Sequence, residues 1–305
     1  FYHIKWQTLE DAIVTNMRSA TPAIIILLLI GAIAGTWMAS GIIPTLIYYG
    51  LKILHPSIFL PASCIICAVI SLLTGSSWTT IATIGIALMG IGEAQGFNPG
   101  WIAGAIISGA YFGDKVSMMS DTTVLASSTA EVPLFTHIKY MLLTTTPSLI
   151  IALIVFTIAG LSGSTTTIAD TMTIENSLQQ TFNISAWLLI VPLITGLLIA
   201  RKLPAIITLF AAAFMAAIAM VIAQPEIVLQ IAQTNTSSAL MSLKAIISSA
   251  TTSTSLETGN ELLNSLVATR GMGGMMDTVW LIICAMCFGG VMYGSGMLSA
   301  ISRLF

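Results

Sequence analysis

The sequence predicts an all-α, polytopic membrane protein, and three observations carry that prediction. Charged residues are 7% of the 305 and hydrophobic residues 56%, whereas a water-soluble domain covers its surface with roughly a quarter charged residues. Apolar runs near or above the roughly 20 residues that cross a bilayer recur along the chain. They are clearest at 141–161, at 186–200 joined to 204–223, and at 277–298. These runs are continuous, not alternating, which excludes the strands of a transmembrane barrel.

Taken in order, residues 1–20 (FYHIKWQTLEDAIVTNMRSA) put Leu9, Ala12, Ile13 and Met17 on one face, the pattern of an amphipathic helix lying on the membrane. Thr21-Pro22 is expected to start a span over about 22–49, because proline suits a first helical turn. Residues 58–91 are apolar but interrupted by LTGSSWTT at 73–80. Each arm beside Gly75 has only about 15 residues, short for a crossing, so a re-entrant hairpin with a polar tip is expected. GEAQGFNPGW (92–101) then reads as an exposed turn carrying Glu93. Residues 101–130 are expected as a broken helix, interrupted at GDKVSMMSDTT (113–123). Spans at 141–161, 186–200 and 204–223 follow, SSATTSTSLET (248–258) reads as a flexible loop or a second break, its polarity favouring the loop, and a last span covers 277–298. The paired cysteines Cys64/Cys67 and Cys284/Cys287 lie in apolar helix without a nearby histidine, which suits packing better than a metal or redox site.

The net charge of −2 says less than where the basic residues sit. Arg18, Lys139 and Arg201-Lys202 lie in short connections, whereas 162–186 and 224–243 carry acids only. Basic connections stay in the cytoplasm, which assigns 131–140 and 201–204 to the inside and the two acidic segments to the outside. The N-terminus has neither the charged region nor the cleavage site of a signal peptide. With no first Met and an end just after an apolar run, the chain is expected to be a piece of a longer protein.

A weak internal echo pairs LLLIGAIAGTWMASGIIPTLI (27–47) with IICAMCFGGVMYGSGMLSAI (282–301) at a shift of 255, matching Gly35/Gly290, Ser40/Ser295 and Gly41/Gly296. An odd number of spans between the copies turns the second upside down, the inverted repeat common in secondary transporters. The expected division is therefore a first repeat with connecting helices over 1–223 and the opening of a second, incomplete repeat over 224–305.

The chemistry concentrates at the two interruptions. They offer the hydroxyls of Ser76, Ser77, Thr79, Thr80, Ser117, Ser120, Thr122 and Thr123, the carboxylates of Asp114 and Asp121, and the ammonium of Lys115. Broken helices survive at bilayer depth only beside a cavity or a bound ion, and hard oxygen ligands suit a small alkali cation. On an intact helix Asp114 and Asp121 would share a face but lie ~10 Å apart along the axis. Either the helix is unwound over Val116–Ser120, or one Asp takes the ion while the other pairs with Lys115. Asp121, flanked by Ser120, Thr122 and Thr123, is favoured for the Na⁺ shell, with Asp114 a close alternative. The competing reading is a structural salt-bridge cluster or a solvated loop. Burial raises a carboxyl pKa towards neutrality, and a group that holds a proton or a Na⁺, but not both, becomes an exchanger once access alternates. A serine nucleophile at Ser76 or Ser77 lacks an interior histidine to activate it.

At GSSWTTIATIGIALMGIG (75–92), GAIISGAYFGDKVSMMSDTTVLAS (104–127) and TVWLIICAMCFGGVMYGSGML (278–298) the chain closely resembles the NhaC-type Na⁺/H⁺ antiporter family of the wider ion-transporter superfamily. The likeness covers most of the chain in the same order. It implies a bacterial or archaeal inner-membrane antiporter with inverted repeats that expels Na⁺ for protons and serves pH homeostasis. Similar sequences also exchange malate for lactate coupled to Na⁺ and H⁺, which makes organic-anion exchange the alternative, with Lys115 as its one candidate anchor. The expected partners are Na⁺ and H⁺ as cargo and the lipid bilayer, with no cofactor and no nucleic acid; the oligomeric state stays open, a homodimer included.

Overall fold

A computed structural model describes residues 4–163, 168–201, 203–234, 238–256, 264 and 267–302. Among them the regular structure is all helical, apart from an isolated antiparallel bridge between Thr254 and Thr269. Five helical segments are long and apolar enough to cross a membrane, and a sixth arises if a pair bent by 90° at 173–200 is counted as one span. Large apolar side chains stay exposed along these helices, Ile150, Ile154, Trp280 and Phe288 among them. The protein is a polytopic membrane protein, and that greasy exterior is the surface the bilayer covers.

The first helix, α1, runs unbroken from Trp6 to Ala39. The separate surface helix over 1–20 and the span starting at 22 are therefore one element, with Pro22 in its interior. Pro22 removes one backbone donor, but a single lost bond costs less than opening the helix, and interior prolines are tolerated in membrane helices. The span also stops earlier than 49. Gly41 adopts φ 79°, a left-handed conformation that favours glycine, and α2 (Ile42–Ile53) leaves in a new direction.

Next come the hairpin and the broken helix. Helix α3 (Pro56–Thr74) ends at Gly75, and the return arm consists of α4 (Ser77–Thr80), a π-helical turn (Ile81–Gly85) and α5 (Ile86–Ala94). The arms meet again at the base, where Phe59 stacks on Phe97 with centroids 5.7 Å apart and Gln95 Nε2 donates to Leu54 O at 2.6 Å. Helix α6 (Pro99–Val116) runs parallel to α3: Gly109 faces Cys64, Gly113 faces Ala68, and Ser117 bonds to Leu72. Ser71 Oγ donates to Ala110 O, tying the pair further. Helix α7 (Asp121–Thr129) follows the break, and α8 (Leu134–Gly163) returns antiparallel to α6, with Trp101 edge-on to Phe156 at 6.4 Å.

The remaining helices wall this unit. They are α9 (Ile168–Thr181), α10 (Ile190–Ala200) after a 3₁₀ turn at Ala186–Leu189, α11 (Ala205–Ala223), α12 (Pro225–Ala232) and α13 (Ala239–Thr251). Helix α13 runs through Ser248–Thr251, which the sequence suggested as loop. Its hydroxyls return to their own helix, Thr251 Oγ1 to Ile247 O at 2.7 Å, so polarity there does not oppose helix. Trp37, fully buried, packs α1 on α11 and donates through Nε1 to Ala212 O at 3.4 Å. Helix α14 (Met276–Gly294) packs antiparallel to α1: Asn16 Nδ2 donates to Met286 O at 2.8 Å, Gly290 faces Ile13, and Gly294 faces Ala12.

The two helices of the sequence echo end in the same corner. Ser40 Oγ donates to Trp37 O at 3.2 Å and Gly41 N to Met38 O at 3.0 Å. At the shifted positions Ser295 Oγ donates to Met292 O at 3.2 Å and Gly296 N to Tyr293 O at 3.1 Å, with Gly296 at φ 74°. A short helix follows each corner, α2 in the first case and α15 (Met297–Ser302) in the second.

Candidate functional site

The two interruptions are built alike. Gly75 turns the chain at φ 69°, and Ser76 caps α4 by accepting from Thr79 N at 3.2 Å. Helix α6 stops at Val116, residues 117–120 are non-helical, and Ser120 caps α7 by accepting from Thr123 N at 3.4 Å. Both are Ser-x-x-Thr caps, which satisfy an orphan amide at a helix start. Because α3 and α6 run in parallel, the breaks lie side by side. A Cβ added to Gly75 would stand 2.5 Å from the Met119 carbonyl carbon, so only glycine permits this approach. Of the two arrangements the sequence left open, the chain has the unwound one, with Val116 still helical and the break at Ser117–Ser120.

Asp114 bridges the breaks. It sits half-buried in the last turn of α6, and its Oδ2 accepts from Ser77 Oγ at 2.8 Å. Thr123 Oγ1 reaches back to Asp114 O and Lys115 O, each at 3.1 Å, binding two carbonyls that the end of α6 leaves open. Ser117 Oγ donates to Leu72 O at 2.8 Å and accepts from Met119 N at 3.1 Å. Thr80 Oγ1 donates to Ser76 O at 2.9 Å. Ser76 Oγ pairs with Thr79 Oγ1 at 3.0 Å, and Ser120 Oγ with Thr122 Oγ1 at 2.8 Å.

A cavity of about 510 Å³ opens over this arrangement. Ser76, Thr79, Asp114, Ser120 and Thr122 line it, and the facing wall comes from Ile26 of α1 and from Leu203, Pro204 and Thr208 where α11 begins. Of the predicted residues, Ser77 acts through Asp114, whereas Thr80, Ser117 and Thr123 are buried and committed to backbone carbonyls. Asp121 is the first residue of α7, and its side chain lies outside the described residues, as does Lys202 of the basic pair.

Lys115 is not part of this cavity. It is exposed and lines a different pocket of about 200 Å³, between α6 and α8, with Tyr111, Thr145 and Ser148. Neighbouring helical residues point about 100° apart, so Asp114 and Lys115 serve different sides of α6. Among the described residues the cavity is lined by one carboxylate and no basic side chain. A carboxylate among hydroxyls is a hard oxygen donor set, suited to an alkali cation.

Sequence reading missed two features. Thr208, an isolated hydroxyl in an apolar run, belongs to the cavity wall. Glu93 is not in an exposed turn, because α5 extends through Ala94 and holds it half-buried. It lines a second cavity, of about 370 Å³, together with Met38, Gly85 and Ile106.

Residues 109–304 match the Na⁺/H⁺ antiporter family. The chain belongs to this family. Curated antiporters similar to it include the malate-2H⁺/Na⁺-lactate antiporter of Bacillus subtilis, 39% identical over 302 residues that are 98% of this chain and 61% of that protein. The Na⁺/H⁺ antiporter NhaC of Alkalihalophilus pseudofirmus is 36% identical over 305 residues, 99% of this chain and 62% of its own length. The arginine/ornithine antiporter ArcD of Halobacterium salinarum is 34% identical over 302 residues, 98% of this chain and 59% of its own. The chain thus spans about three-fifths of the length of the curated relatives it matches. No solved structure matches it.

Proposed function

We propose that this chain carries the cargo site of a secondary transporter, not an enzyme, that exchanges Na⁺ for H⁺ across a bacterial or archaeal cytoplasmic membrane by alternating access. Asp114 is the shared site. The observation that carries this reading is the Ser77–Asp114 bond at 2.8 Å, which spans two helix breaks at the floor of a cavity free of basic lining residues among those described. The carboxylate holds either a proton or, with hydroxyl oxygens around it, a Na⁺. The two states exclude one another, so a site that reaches each side in turn moves one ion against the other. Leu203 and Pro204 lie within the connection, 201–204, that the basic residues assign to the cytoplasm, and their place in the wall supports a cavity open inward. Helices α1 and α14, antiparallel and ending in matching corners, support an inverted repeat whose second copy starts near 224.

The second reading, organic-anion exchange, is favoured by the malate/lactate relative. It needs a positive anchor, and Lys115 lines a different pocket from Asp114. The cation reading is therefore preferred.

The deciding measurement is Na⁺-dependent dissipation of a pH gradient in vesicles holding the full protein, repeated with malate and lactate present. Asp114→Asn keeps the side-chain shape and an acceptor for Ser77 but removes the charge. A unit charge pair at 4 Å is worth about 4 kcal/mol at an effective dielectric of 20, so apparent Na⁺ affinity should fall by at least about a hundredfold. Unchanged exchange by Asp114→Asn would remove Asp114 from the site.

A further inference from the structure

We infer that Thr208 on α11 is a cargo-binding residue, its hydroxyl supplying a neutral oxygen to the alkali cation from the wall that faces the two helix breaks. The inference rests on the cation reading of the Asp114 cavity and extends it to an element that carries none of the sequence motifs.

Thr208 is fully buried, it belongs to the cavity wall, and its Oγ1 has no hydrogen-bond partner. Thr45 Oγ1 and Ser63 Oγ are also buried without a partner, but of these three hydroxyls only that of Thr208 belongs to a residue lining the cavity. A buried threonine in a membrane helix ordinarily turns its hydroxyl back onto the carbonyl one turn earlier. Thr36 does so to Ala32 O, Thr83 to Thr79 O and Thr195 to Val191 O, each at 2.8 Å. For Thr208 that carbonyl is Pro204 O, which accepts the Thr208 backbone amide at 3.0 Å, yet the hydroxyl does not turn to it. Buried hydroxyls without partners are disfavoured, and valine, of nearly the same shape, would avoid the cost. A hydroxyl held there without its usual bond has lone pairs free for a ligand.

The ligand chemistry follows from the surroundings. The wall facing Thr208 carries Ser76, Thr79, Ser120, Thr122 and the Asp114 carboxylate, all oxygen. Thr208 Oγ1 is closed off from water, so a cation that reaches it does so without its hydration shell and after a small side-chain rotation. The added oxygen is neutral. It raises the coordination number without adding charge, which leaves Asp114 to balance a single positive ion. It also comes from a different part of the fold, so the cation joins α11 to the pair of broken helices when it binds.

The test is equilibrium binding of ²²Na⁺ to the purified full protein, with thermal unfolding measured in parallel with and without Na⁺. Thr208→Val should weaken Na⁺ binding about tenfold while unfolding in Na⁺-free buffer is unchanged or later, and it should lose most of the stabilisation Na⁺ gives. Thr208→Ser, which keeps the hydroxyl, should bind within about threefold of the parent. Thr208→Ala repeats the measurement should valine not be accommodated. Parental Na⁺ affinity in Thr208→Val or Thr208→Ala, alongside lost binding in Asp114→Asn, would overturn the inference and leave the Asp114 reading standing. Earlier unfolding of Thr208→Val without Na⁺, at parental affinity, would overturn it too, by revealing a structural role. Parental binding in Asp114→Asn would instead overturn the cation reading on which this one rests.

Discussion

Replacing Gly75 by alanine tests whether contact between the two breaks makes the site. The methyl group faces two penalties. At φ 69° an L-residue costs about 1–2 kcal/mol relative to its normal backbone. The new Cβ would also lie 2.5 Å from the Met119 carbonyl carbon, 2.6 Å from its oxygen and 2.7 Å from Met119 Cβ. Non-bonded carbons prefer about 3.5–4.0 Å, and backbone cannot rotate aside, so the hairpin tip must retreat from α6 by about 1 Å. The Ser77–Asp114 bond, 2.8 Å in the parent, is then stretched past hydrogen-bonding distance. A bond to a charged group contributes about 1.5–3 kcal/mol. The backbone strain lowers stability with or without Na⁺, whereas the lost bond alters the site itself, so Na⁺ affinity should fall by about ten- to a hundredfold. The assay is the Na⁺ concentration for half-maximal dissipation of a pH gradient, in vesicles with matched protein content. Gly296→Ala supplies the backbone control, because Gly296 has φ 74° and nothing within 4 Å of an added Cβ. Gly196→Ala, also in open space but on ordinary helix, should be silent. Gly75→Ala with parental rate and parental Na⁺ dependence would refute the claim that the site is shared between the breaks.

Lys115→Ala should leave Na⁺/H⁺ exchange within about twofold of the parent, because Lys115 lines the pocket towards α8 and not the Asp114 cavity. Loss of malate or lactate flux in that variant, with Na⁺ binding intact, would revive the anion reading. Trp37→Ala should destabilise the protein by about 3–5 kcal/mol, since it empties a fully buried site between α1 and α11. Thermal unfolding in detergent would show it, and an unshifted midpoint would mean that this contact does not hold the cavity wall.

Both interruptions were legible from residues alone, because glycine, serine and threonine in an apolar run have a local physical meaning. The unwinding over Val116–Ser120 was one of two alternatives, and the seven-residue spacing of Asp114 and Asp121 was enough to pose them. What was not legible depended on distant parts of the chain. Pro22 reads as a helix start by local rules, but the apolar surroundings carry the helix through it. Glu93 reads as solvated until α5 is seen to extend past it into a packed corner. Ser248–Thr251 read as loop because hydroxyl composition does not reveal that Ser249 and Thr251 bond back to carbonyls of their own helix. Thr208 shows the reverse. Its difference from Thr36, Thr83 and Thr195 is a side-chain rotation, and no sequence pattern records that.

The side-by-side breaks have one more consequence. Every broken helix exposes two ends of opposite polarity, a carbonyl end worth about half a negative charge and an amide end worth about half a positive one. Here four such ends gather in one place, from α3 and α6 on one hand and α4 and α7 on the other. The scaffold by itself is thus nearly indifferent to the sign of what it carries, and a few side chains set the preference.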